Sequence, residues 1–278
     1  MQNRSKLLAA AIESAAAAGK AILEVYEKEN YGIEKKADDS PLTLADRRAH
    51  EIILKGISVF GIPVLSEEGK SIPFDERKRW SFMWIVDPLD GTKEFIKRNG
   101  EFTVNIALSE KGISTMGVIY VPVTDTLYFG EKNQGAFKID NYNEIKSSVH
   151  HTDELTPLER LKEKGEKLPI ATDKIRPYTI MGSRSHATPE LEAYVEEMRE
   201  KFGTVHFISA GSSLKICKVA EGQADVYPRL GPTMEWDTAA GQAIAEASGA
   251  NVVRHDTGAP LTYNKEDLLN PWFIVERK

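Results

Sequence analysis

Two carboxylates directly follow an apolar run in the first half of the chain. Asp87 and Asp90 come after residues 80–86 and are followed by Gly91 and Thr92. Ionised carboxylates this close together repel each other, so the pair requires a cation or a proton. Oxygen ligands without a neighbouring cysteine or histidine favour Mg²⁺, Mn²⁺ or Ca²⁺ over Zn²⁺. The amides of Gly91 and Thr92, at the start of a predicted helix, are suited to an anion, so the turn as a whole indicates phosphate chemistry.

A purely structural interpretation of the same turn stays open at this point. Asp-Gly is a common turn dipeptide, and a Pro-X-Asp-Gly stretch between two elements can be a simple connection. Residues 87–92 therefore do not by themselves distinguish a catalytic site from a turn.

Four further acids lie at the ends of predicted elements. Glu67 and Glu68 follow a predicted strand, Asp46 lies in the first turn of a predicted helix, and Asp237 precedes another helix. Each also has a purely structural alternative: an exposed acidic turn for the two glutamates, a carboxylate favoured by the helix dipole for Asp46, and a helix N-cap for Asp237. Taken together, these acids supply the carboxylates that a site for several Mg²⁺ ions needs.

The elements that must position these acids are predicted from hydrophobic spacing and turn signals. The predicted helices are residues 5–29, 44–60, 189–202, 213–222 and 238–248, and the predicted strands are residues 61–66, 80–86, 102–108, 113–120, 126–130, 178–182, 205–208 and 225–230. The polar segment 141–176 marks a junction, which predicts an α+β domain of residues 1–145 with an antiparallel sheet and an α/β domain of residues 146–278.

Composition excludes several classes of protein. The 278 residues are 41% hydrophobic and 28% charged, which is typical of an ordinary soluble protein that can bury a sizeable core. A net charge of −6 argues against a nucleic-acid polymer as partner, so local cations must bind any small anionic substrate. The single cysteine, Cys217, excludes an internal disulfide and is expected to be a buried thiol. No transmembrane segment is predicted, because no run approaches about 20 apolar residues, and the expected location is cytoplasmic.

Several motifs together carry a resemblance that covers nearly the whole chain. They are Ser-Glu-Glu-Gly at residues 66–69, Trp-Ile-Val-Asp-Pro-Leu-Asp-Gly-Thr at 84–92, and Glu-Trp-Asp-Thr-Ala-Ala-Gly at 235–241. With them the chain resembles the lithium-sensitive, Mg²⁺-dependent phosphatase superfamily of inositol monophosphatase and fructose-1,6-bisphosphatase. Residues 38–43, 93–95 and 220–229 are most similar to its 3′(2′),5′-bisphosphate nucleotidases of the CysQ type. The fold that this implies is a layered α/β/α/β/α sandwich with the active site at the seam between the two halves.

The resemblance also implies roles for individual residues. The implied metal ligands, for two or three Mg²⁺ ions, are Glu67, Asp87, the carbonyl of Leu89, Asp90 and Asp237, with Glu68 as an outer acid beside Glu67. Thr92 and Asp46 resemble the pair that orients and deprotonates the attacking water, although Asp38 is an alternative base. The amides of Gly91 and Thr92 would hold the phosphate that leaves.

Two basic residues bear on which phosphate ester is the substrate. Lys215 and Arg229 lie where inositol monophosphatases lack a cation pair, and such a pair is suited to a second phosphate. The alternative is that Lys215 lies on the wet face of a helix. The implied substrate-binding set is Gly91, Thr92, Ser183, His186, Ser212, Lys215, Arg229 and Asp237, although an exposed position at a helix start stays open for His186.

The implied reaction is hydrolysis of adenosine 3′,5′-bisphosphate to AMP and phosphate, with 3′-phosphoadenylyl sulfate as a second possible substrate. Inositol monophosphatase or sugar bisphosphatase activity at the same metal site stays open, as does a nucleotide sensor without catalysis. The sequence also leaves open whether the chain is a monomer or a homodimer, and whether it associates peripherally with the cytoplasmic side of the inner membrane.

Overall fold

The structure is a computed structural model of the chain, and it describes residues 4–28, 34–35, 41–148, 156–170, 176–182 and 188–277. Six α-helices and nine strands lie within the described part of residues 4–170. The helices are α1 (Arg4–Tyr26), α2 (Leu44–Ile57), α3 (Phe74–Arg77), α4 (Thr92–Ile96), α5 (Tyr142–Ser147) and α6 (Pro157–Lys164). The strands are β1 (Glu34–Lys35), β2 (Pro41–Leu42), β3 (Val64–Ser66), β4 (Phe82–Asp90), β5 (Thr103–Glu110), β6 (Ile113–Val121), β7 (Thr126–Glu131), β8 (Gly135–Ile139) and β9 (Glu166–Leu168).

Strands and helices alternate at first in the described part of residues 176–277. Its strands are β10 (Tyr178–Gly182), β11 (Val205–Ser209), β12 (Val226–Arg229), β13 (Asn251–Arg254) and β14 (Phe273–Glu276), and its helices are α7 (Pro189–Phe202), α8 (Leu214–Glu221) and α9 (Glu235–Ala247).

Two main sheets are built from these strands. The larger one follows chain order from β3 to β9, with β3 parallel to β4 and the other neighbours antiparallel. The smaller one has the order β11-β10-β12-β14-β13, in which β10 is parallel to both β11 and β12. The antiparallel character predicted for the first sheet is therefore confirmed. In the second sheet the two pairs of β10 are parallel, as an αβ alternation favours, whereas β14 is antiparallel to both β12 and β13.

The order of the helix and sheet layers follows from which faces of the sheets are apolar. Helices α1 and α2 cover one face of the seven-stranded sheet, where Ile12, Ile53 and Trp84 are buried in one cluster. On its other face lie α8 and α9, which the five-stranded sheet covers in turn, and Ile244 and Val275 belong to this second core. Helix α7 packs on the outside of the five-stranded sheet through residues such as Met198. This is the predicted α/β/α/β/α sandwich, and it places α8 and α9 between the sheets.

Some predicted boundaries differ from the structure. Helix α9 begins three residues earlier than predicted, at Glu235, so Asp237 lies inside its first turn and does not precede it. Asp87 and Asp90 belong to β4 itself, which continues through the predicted turn. Strand β9 lies after residue 146 yet pairs with β8 of the first sheet, and the domain division at residues 145 and 146 stays a prediction. Among the described residues, no helix combines the length and apolar character that crossing a membrane requires.

Candidate active site

Strand β4 carries the first two acids of the site. Asp87 is 2% exposed, and its Oδ1 accepts a hydrogen bond of 3.1 Å from the amide of Leu89. Asp87 is paired with Asn105 of β5 and Asp90 with Thr103, so the register shifts between them. Proline has no amide hydrogen for the sheet, so Pro88 fits this irregularity, which brings both carboxylates to the same end of β4.

Helix α9 brings the third acid from the layer between the sheets. The Oδ2 of Asp237 accepts a hydrogen bond of 2.8 Å from the amide of Met234, which stabilises the first turn of the helix. One carboxylate oxygen from each of three acids lies within 4.8 Å of the other two; the acids are Asp87, Asp90 and Asp237. The three acids that the sequence predicted as ligands are thus brought together from two different layers.

Burial and mutual repulsion act on this cluster. Burial, followed by the charges of Glu67, Asp90 and Asp237, raises the pKa of Asp87 well above its usual range. Burial and the charge of Asp90 raise the pKa of Asp237 to about 8. Buried carboxylates of this kind require protons or a cation, and their oxygen-only donor set is suited to a hard divalent ion. The residues present therefore fit the metal dependence expected from the sequence.

The loop after β3 adds two more acids. The amide of Glu67 donates a hydrogen bond of 3.1 Å to the carbonyl of Val86, which fixes this loop beside β4. Through both its charge and a side-chain hydrogen bond, Glu67 contributes to the raised pKa of Asp87, so the two carboxylates are adjacent. Glu68 is half-buried at the next position. The geometry is compatible with the ligand role predicted for Glu67 and the outer role predicted for Glu68.

Asp46 and Thr92 meet at the edge of the cluster. Asp46 is buried in the first turn of α2, where its Oδ2 accepts hydrogen bonds from the amide and the hydroxyl of Thr43 at 2.7 and 2.5 Å. Its Oδ1 lies 3.3 Å from the hydroxyl of Thr92, which also lies 3.4 Å from the carbonyl of Leu89. The capping box therefore fixes Asp46 so that one oxygen faces Thr92.

Gly91, between Asp90 and Thr92, adopts a left-handed conformation. Its φ is +93°, and a Cβ atom there would lie 3.2 Å from the carbonyl oxygen of Glu101. A residue with a side chain would be strained in this conformation. Glycine therefore allows the chain to turn directly from the acids of β4 into α4.

A cavity of about 340 Å³ opens from the acids toward the two predicted cations. Lys215 is only 8% exposed, and its Nζ donates hydrogen bonds of 3.3 and 2.7 Å to the carbonyls of Ala210 and Ser212. Burial lowers the pKa of Lys215, while the charge of Asp90 counters this effect. The wet-face alternative for Lys215 is therefore wrong: the residue is buried and faces the cavity.

Arg229 and Ser212 complete this end of the cavity. Arg229 Nη2 donates a hydrogen bond of 2.9 Å to the carbonyl of Pro232. Its Nε and the hydroxyl of Ser212 are buried and have no hydrogen-bond partner among the residues that the structure describes. Buried polar groups are normally paired, so two unpaired donors beside one cavity are expected where a polar ligand binds.

Three predicted site residues lie outside the described ranges. Two residues that contact the acids within those ranges were not predicted from the sequence. Asp38, Ser183 and His186 lie outside the described residues. Asn105 and Ser213 were not predicted, although both donate hydrogen bonds to Asp90 Oδ2. Ser213 is the second serine of a Gly-Ser-Ser turn in which only Ser212 was singled out, whereas Asn105 lies in a strand and has no comparable signal in the sequence.

Comparison with known proteins agrees with this geometry. The profile of the inositol monophosphatase family matches residues 3–272. The chain is 45% identical over 263 residues to the 3′(2′),5′-bisphosphate nucleotidase CysQ of Salmonella typhimurium, an alignment that covers 93% of this chain and 94% of that protein. The corresponding protein of Escherichia coli K12 is 44% identical, with the same coverage. A crystal structure of CysQ from Bacteroides thetaiotaomicron superposes with a TM-score of 0.86 at 53% identity and covers 98% of this chain and 97% of that one.

Proposed function

The chain belongs to the inositol monophosphatase family, and on that basis we propose that it is a 3′(2′),5′-bisphosphate nucleotidase that converts adenosine 3′,5′-bisphosphate to AMP and phosphate. The observation that carries this proposal is the single cavity with a carboxylate cluster at one end and the cations Lys215 and Arg229 at the other. A substrate with two phosphates on one ribose matches these two ends. The names of the relatives at 44–45% identity support the same reaction.

Mg²⁺ is the ion that we propose for the carboxylate end. The residues that would hold two or three such ions are Glu67, Asp87, the Leu89 carbonyl, Asp90 and Asp237, whose oxygen donors suit a hard cation. When bound, Mg²⁺ would lower the pKa of the attacking water and neutralise charge on the phosphate. Glu68 would hold Glu67 in place from the half-buried position beside it.

Thr92 and Asp46 would then position the water and accept its proton. The Thr92 hydroxyl can donate to Asp46 Oδ1, 3.3 Å away, which leaves its oxygen lone pairs available to the water. Asp46 is already hydrogen-bonded to Thr43 at its other oxygen, so it presents Oδ1 in a fixed direction. As the new oxygen–phosphorus bond forms, the bond from phosphorus to the 3′-oxygen would break, and the 3′-oxygen would take a proton from solvent water to give AMP. The amides of Gly91 and Thr92 would hold the phosphate.

The cation end would bind the 5′-phosphate. Arg229 Nε and the Ser212 hydroxyl are buried donors without partners in the described part of the chain, and a phosphate oxygen would satisfy both. Lys215 already donates to two carbonyls, so it would act as a nearby charge and as support for the turn at Ser212. The same contacts would accept the 5′-phosphate of 3′-phosphoadenylyl sulfate.

The test is a substrate comparison in the presence of Mg²⁺. Phosphate release is measured from adenosine 3′,5′-bisphosphate, inositol 1-phosphate and fructose 1,6-bisphosphate at equal concentration. A large preference in kcat/KM for the nucleotide is expected. A preference for inositol or the sugar would keep the metal chemistry and contradict the nucleotide, whereas no turnover of any substrate while Mg²⁺ still binds would favour a sensor.

A further inference from the structure

We propose that Ser213 is a positioning residue that orients the carboxylate of Asp90 and joins it to the opposite side of the seam. This inference rests on the metal site of the proposed function, but it does not depend on which phosphate ester is hydrolysed. Ser213 immediately precedes α8, is 3% exposed, and lies between the carboxylate cluster and the cation end of the cavity.

The donors around Asp90 converge on a single oxygen. Its Oδ2 accepts hydrogen bonds from the Ser213 amide at 2.7 Å and from the Ser213 hydroxyl at 2.5 Å, with Asn105 Nδ2 at 3.3 Å and the Thr103 hydroxyl at 3.5 Å. Oδ1 accepts no hydrogen bond from the described residues. A carboxylate held in this way through one oxygen presents the other in a fixed direction, which is the arrangement that a metal ligand needs.

A series of hydrogen bonds leads to Asp90 Oδ2, and in each of them the donor can be assigned. The Thr103 hydroxyl lies 3.0 Å from Asn105 Oδ1, a shorter distance than its 3.5 Å to Asp90 Oδ2, so Thr103 donates to Asn105 and fixes the orientation of the amide. Asn105 Nδ2 then donates to the Ser213 hydroxyl at 2.7 Å. The proton of Ser213 is therefore directed to Asp90. Such chains strengthen one another when they are buried, as all three of these donors are.

Ser213 also connects the two halves of the site. Its hydroxyl oxygen lies 3.2 Å from the main-chain carbonyl of Asp237, and Asp90 accepts its proton because the distance of 2.5 Å is shorter. The preceding residue, Ser212, faces the proposed 5′-phosphate contacts, and its carbonyl accepts from Lys215. A shift of Ser213 would therefore displace a ligand of the cluster and the turn at the cation end together.

The experiment compares Ser213→Ala with Ser114→Ala. Ser114 is an equally buried serine whose hydroxyl donates a hydrogen bond of 2.7 Å to the carbonyl of Ala239 in α9, so its variant loses a seam contact without touching a carboxylate. The dissociation constant of Mg²⁺ is measured by calorimetry for both variants and the parent protein. Loss of a partner that orients a metal ligand typically weakens metal binding about 10–100-fold, which is the change expected for Ser213→Ala. No change in Mg²⁺ affinity is expected for Ser114→Ala.

A second variant tests the same series of hydrogen bonds if Ser213→Ala does not fold. Thr103→Val keeps the shape of the side chain but removes the donor that orients Asn105, so it is expected to weaken Mg²⁺ binding in the same direction and by a smaller factor. Turnover of Ser213→Ala should recover in part as Mg²⁺ is raised. Unchanged Mg²⁺ affinity in a folded Ser213→Ala or Thr103→Val variant, or an equal loss in Ser114→Ala, would overturn the proposal. Because the assay measures binding of Mg²⁺ alone, its result can be interpreted even if the substrate assignment is wrong.

Discussion

Replacing Arg229 by alanine separates the two ends of the cavity experimentally. Arg229 lies at the cation end of the cavity and donates to the carbonyl of Pro232, and its charge is only a minor influence on the pKa of Asp237, which burial and Asp90 dominate. The variant should therefore weaken binding of a substrate that carries a 5′-phosphate far more than it affects hydrolysis of the 3′-phosphate itself.

The size of the effect follows from the donors that Arg229 has available. Nη2 donates to the carbonyl of Pro232, whereas the buried Nε has no partner in the described part of the chain. A hydrogen bond that involves a charged group contributes about 1.5–3 kcal/mol, so losing one such bond to the phosphate should raise KM roughly 10- to 150-fold. The lost contact with Pro232 affects every substrate equally and cancels in a comparison between substrates.

The assay compares adenosine 3′,5′-bisphosphate with adenosine 3′-monophosphate, which lacks only the 5′-phosphate. Arg229→Ala is expected to raise KM for the bisphosphate and to leave kcat/KM for the monophosphate close to that of the parent protein. Arg254→Ala is the matched control, because Arg254 is an exposed arginine whose partner is Asp256. An equal loss with both substrates, or no loss with either, would refute the assignment of the 5′-phosphate to this end.

Three further perturbations test the metal site and the packing around it. Asp90→Asn should abolish turnover, because it removes a charge from the carboxylate cluster, and retained phosphate release would contradict the placement of the site. Millimolar Li⁺ should inhibit phosphate release in competition with Mg²⁺, since a small cation can replace one Mg²⁺ among crowded carboxylates, and insensitivity would weaken the lithium expectation without changing the reaction. In urea unfolding, Gly117→Ala should lose about 1–3 kcal/mol of stability, because its Cβ atom would lie 2.2 Å from the Ala240 carbonyl oxygen. Gly231→Ala, where nothing lies within 4 Å of the added Cβ atom, should show no such loss.

The layered fold could be predicted because the motifs resemble those of a known family in the same order, whereas hydrophobic spacing predicted the individual elements. Helix α1 and strands β5 to β7 were predicted close to their observed bounds for this reason. The boundaries that failed lie where tertiary contacts override local signals. Residues 87–90 were predicted as a turn, but pairing of Asp90 with Thr103 extends β4 through Pro88. Helix α9 begins at Glu235, a buried acid whose carboxylate accepts hydrogen bonds from the amides of Asn264 and Lys265, which no local pattern reveals.

The acids of the site were predictable because their types and positions carry the chemistry, but their supporting residues were not. Asp87 and Asp90 lie in the last four residues of β4 and Asp237 lies in the first turn of α9, and an acid close to the end of an apolar element is conspicuous in the sequence. Asn105 and Thr103 lie within an ordinary strand, and their relation to Asp90 depends on the register between β4 and β5. Lys215 illustrates the same limit, since helical spacing alone could not show that it is buried against the turn of Ala210 and Ser212.

The position of the acids at a seam explains why packing must precede metal binding. Repulsion among Asp87, Asp90 and Asp237 opposes the approach of α9 to β4, as the raised pKa values of Asp87 and Asp237 indicate. The approach is nevertheless held by contacts that involve no metal, such as the close fit of Gly117 against the main chain of Ala240 in α9. Because the apolar core between the sheets provides the energy that brings the acids together, the cluster is preorganised for a divalent ion, and binding of that ion relieves the repulsion instead of creating the site.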